Sequence, residues 1–374
     1  MPIVGYGADS SDGRYEAFRG LARRLGVDAV ALVPGANFTR LMRASFASQE
    51  RPLVLVIPAN GPPAAVVPNL ELGSWGKLGF EGEVFDWRDQ TGYGAAFEAL
   101  AAHRPLKRVA VEGQVMRVFV HHALVAAYPE LEIVDAEREI SGLRLCKTPE
   151  ELAALIRAIA ISEAALSQVL ADIRIGQTEK AIETRLIQEL FAHGAEALAF
   201  SPIVAAAENS ALPHASARDD YAVRPGDALL LDFGARWGGL AADITRTVFV
   251  RDANQEARDV YATVLAANLA GHEATRPGAT AHDVDEAATS VLEASPYADR
   301  IRTKTGHGLG RDVHEAPYIM RGNRESLSPR MVFTNEPGLY AEGAFGVRIE
   351  DDVLVTETGS RCLTSFPKDL QVVG

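Results

Sequence analysis

The chain has 374 residues, too many for one ordinary hydrophobic core, so two domains are expected. Its 47% hydrophobic and 23% charged residues suit a soluble globular enzyme, and its formal net charge of −13 argues against nucleic acid or an anionic membrane as a main partner. The two cysteines, Cys146 and Cys362, fit no paired-thiol spacing, which excludes a disulfide framework or zinc ribbon and makes a reducing cytoplasm the expected location.

The N-terminal stretch MPIVGYGADSSDGRYEAF has no basic region before a long apolar run, so no signal peptide is expected. Without 18 or more consecutive apolar residues, no membrane span is expected either. Tyr15, Phe18, Leu21, Ala22 and Leu25 recur at helical spacing, and Gly26 follows as a stop. DAVALV (28–33), LVLVIP (53–58) and RVAVEG (108–113) read as buried strands, with helical patterns at 94–102 and 114–127. This alternation predicts a small α/β domain. Asn37-Phe38-Thr39 matches a glycosylation pattern, to which the lack of a secretion signal gives no meaning.

A boundary falls near SGLRLCKTPEELAALIRA, dividing the chain into 1–145 and 146–374. Thr148 suits an N-cap, Pro149 the first helical position, and Glu151 completes a capping box. The pattern predicts a long helix to Gly176, another over 178–194, and more at 254–274 and 281–295. Strands dominate 199–250 and 331–356, so the second domain is expected to be α+β.

LLLDFGARWGGLAADITRTV (229–248) places one aspartate in each of two apolar runs around a Trp-Gly-Gly turn. With Trp237 and Gly238 as the turn, cross-strand partners have numbers totalling 475, and Asp232 faces Asp243. Two like charges about 4 Å apart repel by about 4 kcal/mol at an effective dielectric of 20. Either one acid is protonated or something positive lies between them; the bland alternative is a solvated sheet face, which the flanking Leu229, Leu230, Leu231, Phe233, Ile244 and Val248 disfavour. MVFTNEPGLYAEGAFGVRIEDDVLV (331–355) repeats the theme with Glu336 and Glu350, and with Arg348 expected on the same strand face as Glu350. Here the bland alternative is a surface pair between Arg348 and one of these acids. Two divalent cations would cancel the four carboxylates, and oxygen-rich ligation with a little imidazole suits Mn²⁺, Co²⁺, Fe²⁺ or Zn²⁺.

TGHGLGRDVHEAP (305–317) adds His307 and His314 among glycines that permit close backbone approach, and ENSALPHASARD (208–219) adds His214 in a loop. The other six histidines fall on helical patterns or at their ends.

The ordered set His214, Asp232, Asp243, His307, His314, Glu336 and Glu350 resembles the pita-bread metallopeptidases, in particular the Xaa-Pro dipeptidase and Xaa-Pro aminopeptidase branch. LLLDFG…ADITRTV, GHGLGRDVHEAP, NEPGLY and GVRIEDDVLVT match in order and spacing, and the likeness covers essentially the whole chain. The resemblance implies an α+β pita-bread catalytic domain behind a smaller creatinase-like α/β domain. It implies Asp232, Asp243, His307, Glu336 and Glu350 as ligands of two divalent ions, manganese first, with cobalt, zinc or iron as alternatives. It implies His214, His314 and Glu336 as the groups that handle protons and the tetrahedral intermediate, and Arg348 as a support of the cluster or a contact to substrate. A homodimer acting on short Xaa-Pro peptides follows from the same likeness. Glu336 and Glu350 lie 14 residues apart, a short connection that favours a dipeptidase over an aminopeptidase acting on longer peptides. A non-catalytic binding protein of this fold is a weaker alternative, because all five implied ligands are present. ANFTRLMRASFASQERP (36–52) departs from the family's usual segment, which leaves the length preference open.

Overall fold

The computed structural model describes residues 13–47 and 49–374. The expected lack of a signal peptide rests largely on residues 1–12, and part of the 36–52 segment on residue 48; these lie outside the described residues. The chain forms two compact units, the first ending at Arg144 and the second spanning Leu145–Gly374.

The first unit runs α1 (Glu16–Leu25), β1 (Ala29–Leu32), α2 (Ala36–Met42), β2 (Val54–Pro58), β3 (Ala64–Pro68), α3 (Leu72–Trp75), β4 (Glu83–Trp87), α4 (Gly94–His103), β5 (Arg108–Val111), α5 (Val118–Ala127), β6 (Glu132–Asp135) and α6 (Glu137–Ser141). Gly26 stops α1 in the left-handed conformation at φ 63°, its N–H reaching back to Ala22 and Arg23 carbonyls. The sheet order is β4-β3-β2-β1-β5-β6, with only β2 antiparallel to its neighbours. Val30, Leu32, Leu55 and Ile57 face one side, with Phe18, Leu21 and Ala22 of α1. Ala29, Ala31, Val54 and Val56 face the other, with Phe97, Leu100, Val120 and Leu124 of α4 and α5. Burial on both faces makes these strands continuous apolar runs. Asn37 is buried and donates to Glu112 at 2.7 Å, which closes it to a glycan.

The second unit runs α7 (Pro149–Asp172), α8 (Glu179–Ala192), β7 (Ala197–Leu198), β8 (Ile203–Ala206), β9 (Ala228–Phe233), β10 (Ala235–Trp237), β11 (Leu240–Ala241), β12 (Ile244–Val250), α9 (Gln255–Ala274), α10 (Ala281–Glu293), β13 (Gly306–Gly308), β14 (Glu315–Ile319), β15 (Val332–Asn335), β16 (Gly338–Ala341), β17 (Phe345–Arg348), β18 (Asp351–Val355), β19 (Ser360–Cys362) and β20 (Val372–Val373). The reciprocal capping box of Thr148 and Glu151 opens α7, and Thr178 caps α8. Sheets of order β20-β12-β9-β8 and β14-β13-β15-β18-β19 carry the unit. Ile161, Leu166, Leu186 and Leu190 of α7 and α8 pack on Leu229, Leu231, Phe233 and Val248. Val260 and Val264 of α9 pack on Phe249, Leu339 and Val347, and Val284 of α10 on Ile319, Phe333 and Val353. By length and composition alone α7 is apolar enough to cross a bilayer. Half of its most apolar window is buried inside the unit, so its apolarity serves the core.

Candidate metal centre

The first acidic hairpin turns at Gly238-Gly239, not at Trp237-Gly238. Both glycines have positive φ, 58° and 77°, as a two-residue hairpin turn demands, and Trp237 pairs with Leu240. Partner numbers therefore total 477: Asp232 faces Thr245, and Phe233 faces Ile244. The expected direct opposition of Asp232 and Asp243 is thus wrong by two positions. A slip of two preserves which face each side chain takes, so the acids remain diagonal neighbours on one face. Pairing lapses at Gly234 and Asp243, where the hairpin passes from one sheet to another. A Cβ at Gly234 would sit 1.7 Å from the Ala242 carbonyl oxygen, so only glycine fits that bend.

The second hairpin is built alike. Its partner numbers total 686 from Val332–Leu354 through Gly338–Arg348 to Ala341–Phe345. It too breaks at its acids: Glu336 and Glu350 fall between β15/β18 and β16/β17 rather than inside a strand. Asp243, Glu336 and Glu350 are thus freed where the ladders change sheet, Asp232 projects from within β9, and β12 ties the two hairpins together. The Glu350 N–H donates to the Thr245 carbonyl at 3.1 Å, the Thr245 hydroxyl donates to the Glu350 carboxylate, and the Arg348 N–H donates to Thr247 Oγ1 at 3.1 Å.

His307 occupies β13 between two glycines whose added Cβ atoms would lie 1.8 Å from the Thr334 oxygen and 2.1 Å from the Ala316 oxygen. Its N–H donates to Thr334 Oγ1 at 3.1 Å, and that hydroxyl donates to Glu336 Oε1 at 3.1 Å. His307 Nδ1 lies 3.2 Å from the Gly308 carbonyl oxygen, which places its proton there. Nε2 faces Glu336 Oε1 at 3.2 Å and Asp243 Oδ2 at 3.8 Å, and is the ring nitrogen placed to bind a cation.

All five expected ligands converge. Ligand-capable atoms of Asp232, Asp243 and Glu350 lie within 4.8 Å of one another, as do those of His307, Glu336 and Glu350. A third group joins Asp243 and His307 to His314, an exposed residue whose ring centroid is 3.9 Å from that of His307. His214 is exposed on the 207–218 loop and near enough for its charge to act on His314. Arg348 is 3% exposed, which excludes the surface pair. It donates from Nε to Thr245 at 3.0 Å, from one terminal nitrogen to the Tyr340 hydroxyl at 2.8 Å, and from the other to Asp232. Its guanidinium therefore braces a ligand from behind. Tyr340, Thr245 and Thr334 were not singled out in the sequence; only their position beside the acidic runs marks them.

The electrostatics are those of a crowded anionic cluster. Burial, then repulsion from Glu350, Asp232, Glu336 and Asp352, holds the Asp243 carboxyl well above its usual range. Burial and the neighbouring acids do the same to Glu350. Asp232 is raised by burial although Arg348 pulls it down. Burial also pushes Glu336 up, but the His307 hydrogen bond and the charges of His307, Arg348 and Lys304 outweigh it, leaving a lowered value. His314, although its side chain reaches solvent, is pushed down to about 4, first by partial desolvation of its ring and then by His307. Asp232 Oδ1 is buried with no hydrogen-bond partner. Three buried carboxylates, the part-buried Glu336, one guanidinium, an imidazole nitrogen and an orphaned oxygen form a donor set that fits hard or borderline divalent cations.

The metallopeptidase family M24 profile matches residues 153–357, and the creatinase/prolidase N-terminal domain profile matches residues 14–146. A probable dipeptidase, PepE, of Mycobacterium bovis is 33% identical over 354 residues, covering 93% of this chain and 92% of that protein. The prolidase of Thermococcus sibiricus superposes with a TM-score of 0.92 at 30% identity, over 98% of this chain and 100% of that one. An X-Pro aminopeptidase from Thermotoga maritima does so with a TM-score of 0.83 at 29% identity, over 96% of this chain and 99% of that one. The expected architecture, a pita-bread domain with a creatinase-like N-terminal domain, is the one found.

Proposed function

The chain belongs to metallopeptidase family M24, and on that premise we propose that it hydrolyses the Xaa-Pro bond of short proline-containing peptides, dipeptides foremost. The observation that carries the proposal is the convergence of Asp232, Asp243, His307, Glu336 and Glu350 in two overlapping ligand groups. Glu350 belongs to both of these groups, so it suits a side chain shared between two ions. The likeness to the mycobacterial dipeptidase and the archaeal prolidase supports the dipeptide preference. Manganese as the resident metal, a homodimer and a cytoplasmic location are part of the same proposal.

Two divalent cations in this cage would supply Lewis acidity to the scissile carbonyl and acidify a water to near neutrality. The chain's own groups do the rest. Arg348 orients Asp232, and the Thr245 hydroxyl orients Glu350. The Gly308 carbonyl fixes the His307 tautomer, so Nε2 stays available as a ligand. Glu336 stays anionic because its pKa is lowered, and its carboxylate is the group that takes the proton of the attacking water. His314 is neutral at physiological pH and offers an N–H to the developing oxyanion, with His214 beside it on the substrate side. A proline leaving residue has no amide N–H, and none of these contacts needs one.

The test is hydrolysis of an Xaa-Pro dipeptide against an Xaa-Pro-Yaa tripeptide by chelated protein reloaded with Mn²⁺. Preferential cleavage of the dipeptide supports the proposal. Efficient tripeptide cleavage moves the chain to the aminopeptidase reading, which the Thermotoga structure favours. Cleavage of neither overturns both.

A further inference from the structure

His214 sits near the apex of a loop that leaves β8 at Ala206 and ends at Arg218. Such a loop, with most of its length outside regular structure, holds a catalytic geometry only if its ends are tied and its body is packed. Both ends are tied to one carboxylate, that of Glu179, the first residue of α8. Glu179 is fully buried. Its Oε1 accepts from the Ala206 N–H at 2.7 Å and from an Arg218 terminal nitrogen at 2.8 Å. Its Oε2 accepts from the Arg218 N–H at 2.8 Å, Arg218 Nε at 3.1 Å and Asn209 Nδ2 at 2.9 Å.

Arg218 closes the loop from the other side. It donates to the Ala206 carbonyl at 3.1 Å and to Glu208 at 2.6 Å, and its guanidinium lies 4.1 Å from the Tyr221 ring centroid. Ala207 takes a positive φ of 50°, so the chain is bent at the loop's start into a conformation that a non-glycine residue adopts only when held. The body of the loop is pinned to the strand that carries Arg348: the Gly346 N–H donates to Ser210 Oγ at 2.9 Å. A Cβ at Gly346 would lie 2.1 Å from the Ser210 carbonyl oxygen. The loop is thus registered at its two ends by Glu179 and at its middle by β17.

We propose that Glu179, paired bidentately with Arg218, is a positioning residue that sets the placement of His214 relative to His314. The peptidase reading supplies the role of His214, and this inference rests on it for its catalytic consequence. Glu179 touches neither substrate nor metal. A charged carboxylate with two acceptor oxygens is what the five donors require. A glutamine would turn an amide N–H₂ toward one set of donors and would lose the charge that matches Arg218.

The experiment uses the full-length protein and two readouts. In ¹³C-labelled histidine spectra of metal-free protein, Glu179→Gln moves the His214 ring signals toward those of a free imidazole, while His103 and His121, in the first unit, stay unchanged. In Mn²⁺-loaded protein, Glu179→Gln lowers kcat by about 10- to 100-fold, the scale of a small misplacement of a reacting group. In a His214→Ala background the same change costs less than about twofold, because the group it positions is gone. Arg218→Lys, which keeps the charge but loses the fork, shows the same pattern and decides the matter if Glu179→Gln does not fold. An unmoved His214 signal, or an equal loss of kcat in both backgrounds, overturns the inference. A wild-type protein that cleaves no Xaa-Pro peptide overturns the functional reading instead, and the spectral arm still decides whether Glu179 places His214.

Discussion

Asp243→Asn offers an unusual combination, a variant that loses metal and gains stability. Asp243 is 4% exposed, and the largest influences on its carboxyl, burial and then four acidic neighbours, oppose ionisation. Two unit charges 4.8 Å apart repel by about 3.5 kcal/mol at an effective dielectric of 20. Closer approach repels more, and the carboxyl takes up a proton before the full cost is reached. The folded-state pKa is raised, so the metal-free folded chain binds more protons than the unfolded one. Its stability therefore falls as pH rises from the ordinary Asp range, about 3.9, through the raised value. Asparagine has the same shape and never ionises, and its amide can donate toward His307 Nε2. Relative to chelated wild type, Asp243→Asn should melt higher at pH 8 by about 4–8 °C, taking about 2 kcal/mol and 2–4 °C per kcal/mol for a unit of this size. The gain should shrink as pH falls toward 5. Calorimetry of both proteins in chelator, at pH 5 and pH 8, makes the measurement. Saturating Mn²⁺ should then raise the wild-type melting temperature and leave the variant nearly unmoved. A variant that melts below chelated wild type at pH 8, or a gain independent of pH, would refute the reasoning.

Three further outcomes follow from the geometry. His314→Ala should lower kcat by about 100-fold while the protein keeps its metal by elemental analysis, and the His314 ring in metal-free protein should titrate with a midpoint of about 4 by NMR. Arg348→Lys should weaken metal binding by about 10-fold or more, because an ammonium cannot meet Asp232, Tyr340 and Thr245 together, and competition with a fluorescent chelator measures it. Gly308→Ala should destabilise the fold by more than about 2 kcal/mol in denaturant titration, since the added methyl meets the Ala316 carbonyl 2.1 Å away.

Much of this site can be read from the sequence because its ligands sit in short motifs whose local logic is strong. Acids inside apolar runs marked the four carboxylates, and the resemblance to the pita-bread metallopeptidases carried by the order of the motifs singled out His307 and completed the set of five. The register of the first hairpin is ambiguous in the sequence because Trp237, Gly238 and Gly239 allow two turn placements, and only the positive φ of both glycines decides between them. Either placement leaves the site intact because a two-residue slip does not change faces. What stayed hidden depends on distant pairing. Arg348 reaches Asp232 across 116 positions, and Glu179 reaches Arg218 across 39, and no local pattern records either. The strands β4 and β6 escaped notice for a different reason: both are sheet edges with charged, exposed positions, so they lack the apolar run that marked β1, β2 and β5.

The central claim is that the two acidic hairpins and His307 form one cage for a pair of cations. Anomalous diffraction from crystals grown with Mn²⁺ tests it most directly. The account predicts two manganese peaks, one among Asp232, Asp243 and Glu350 and one among His307, Glu336 and Glu350, with Glu350 touching both. An empty cage in crystals that bind manganese elsewhere, or a lone ion that leaves Asp232 unliganded, would contradict it.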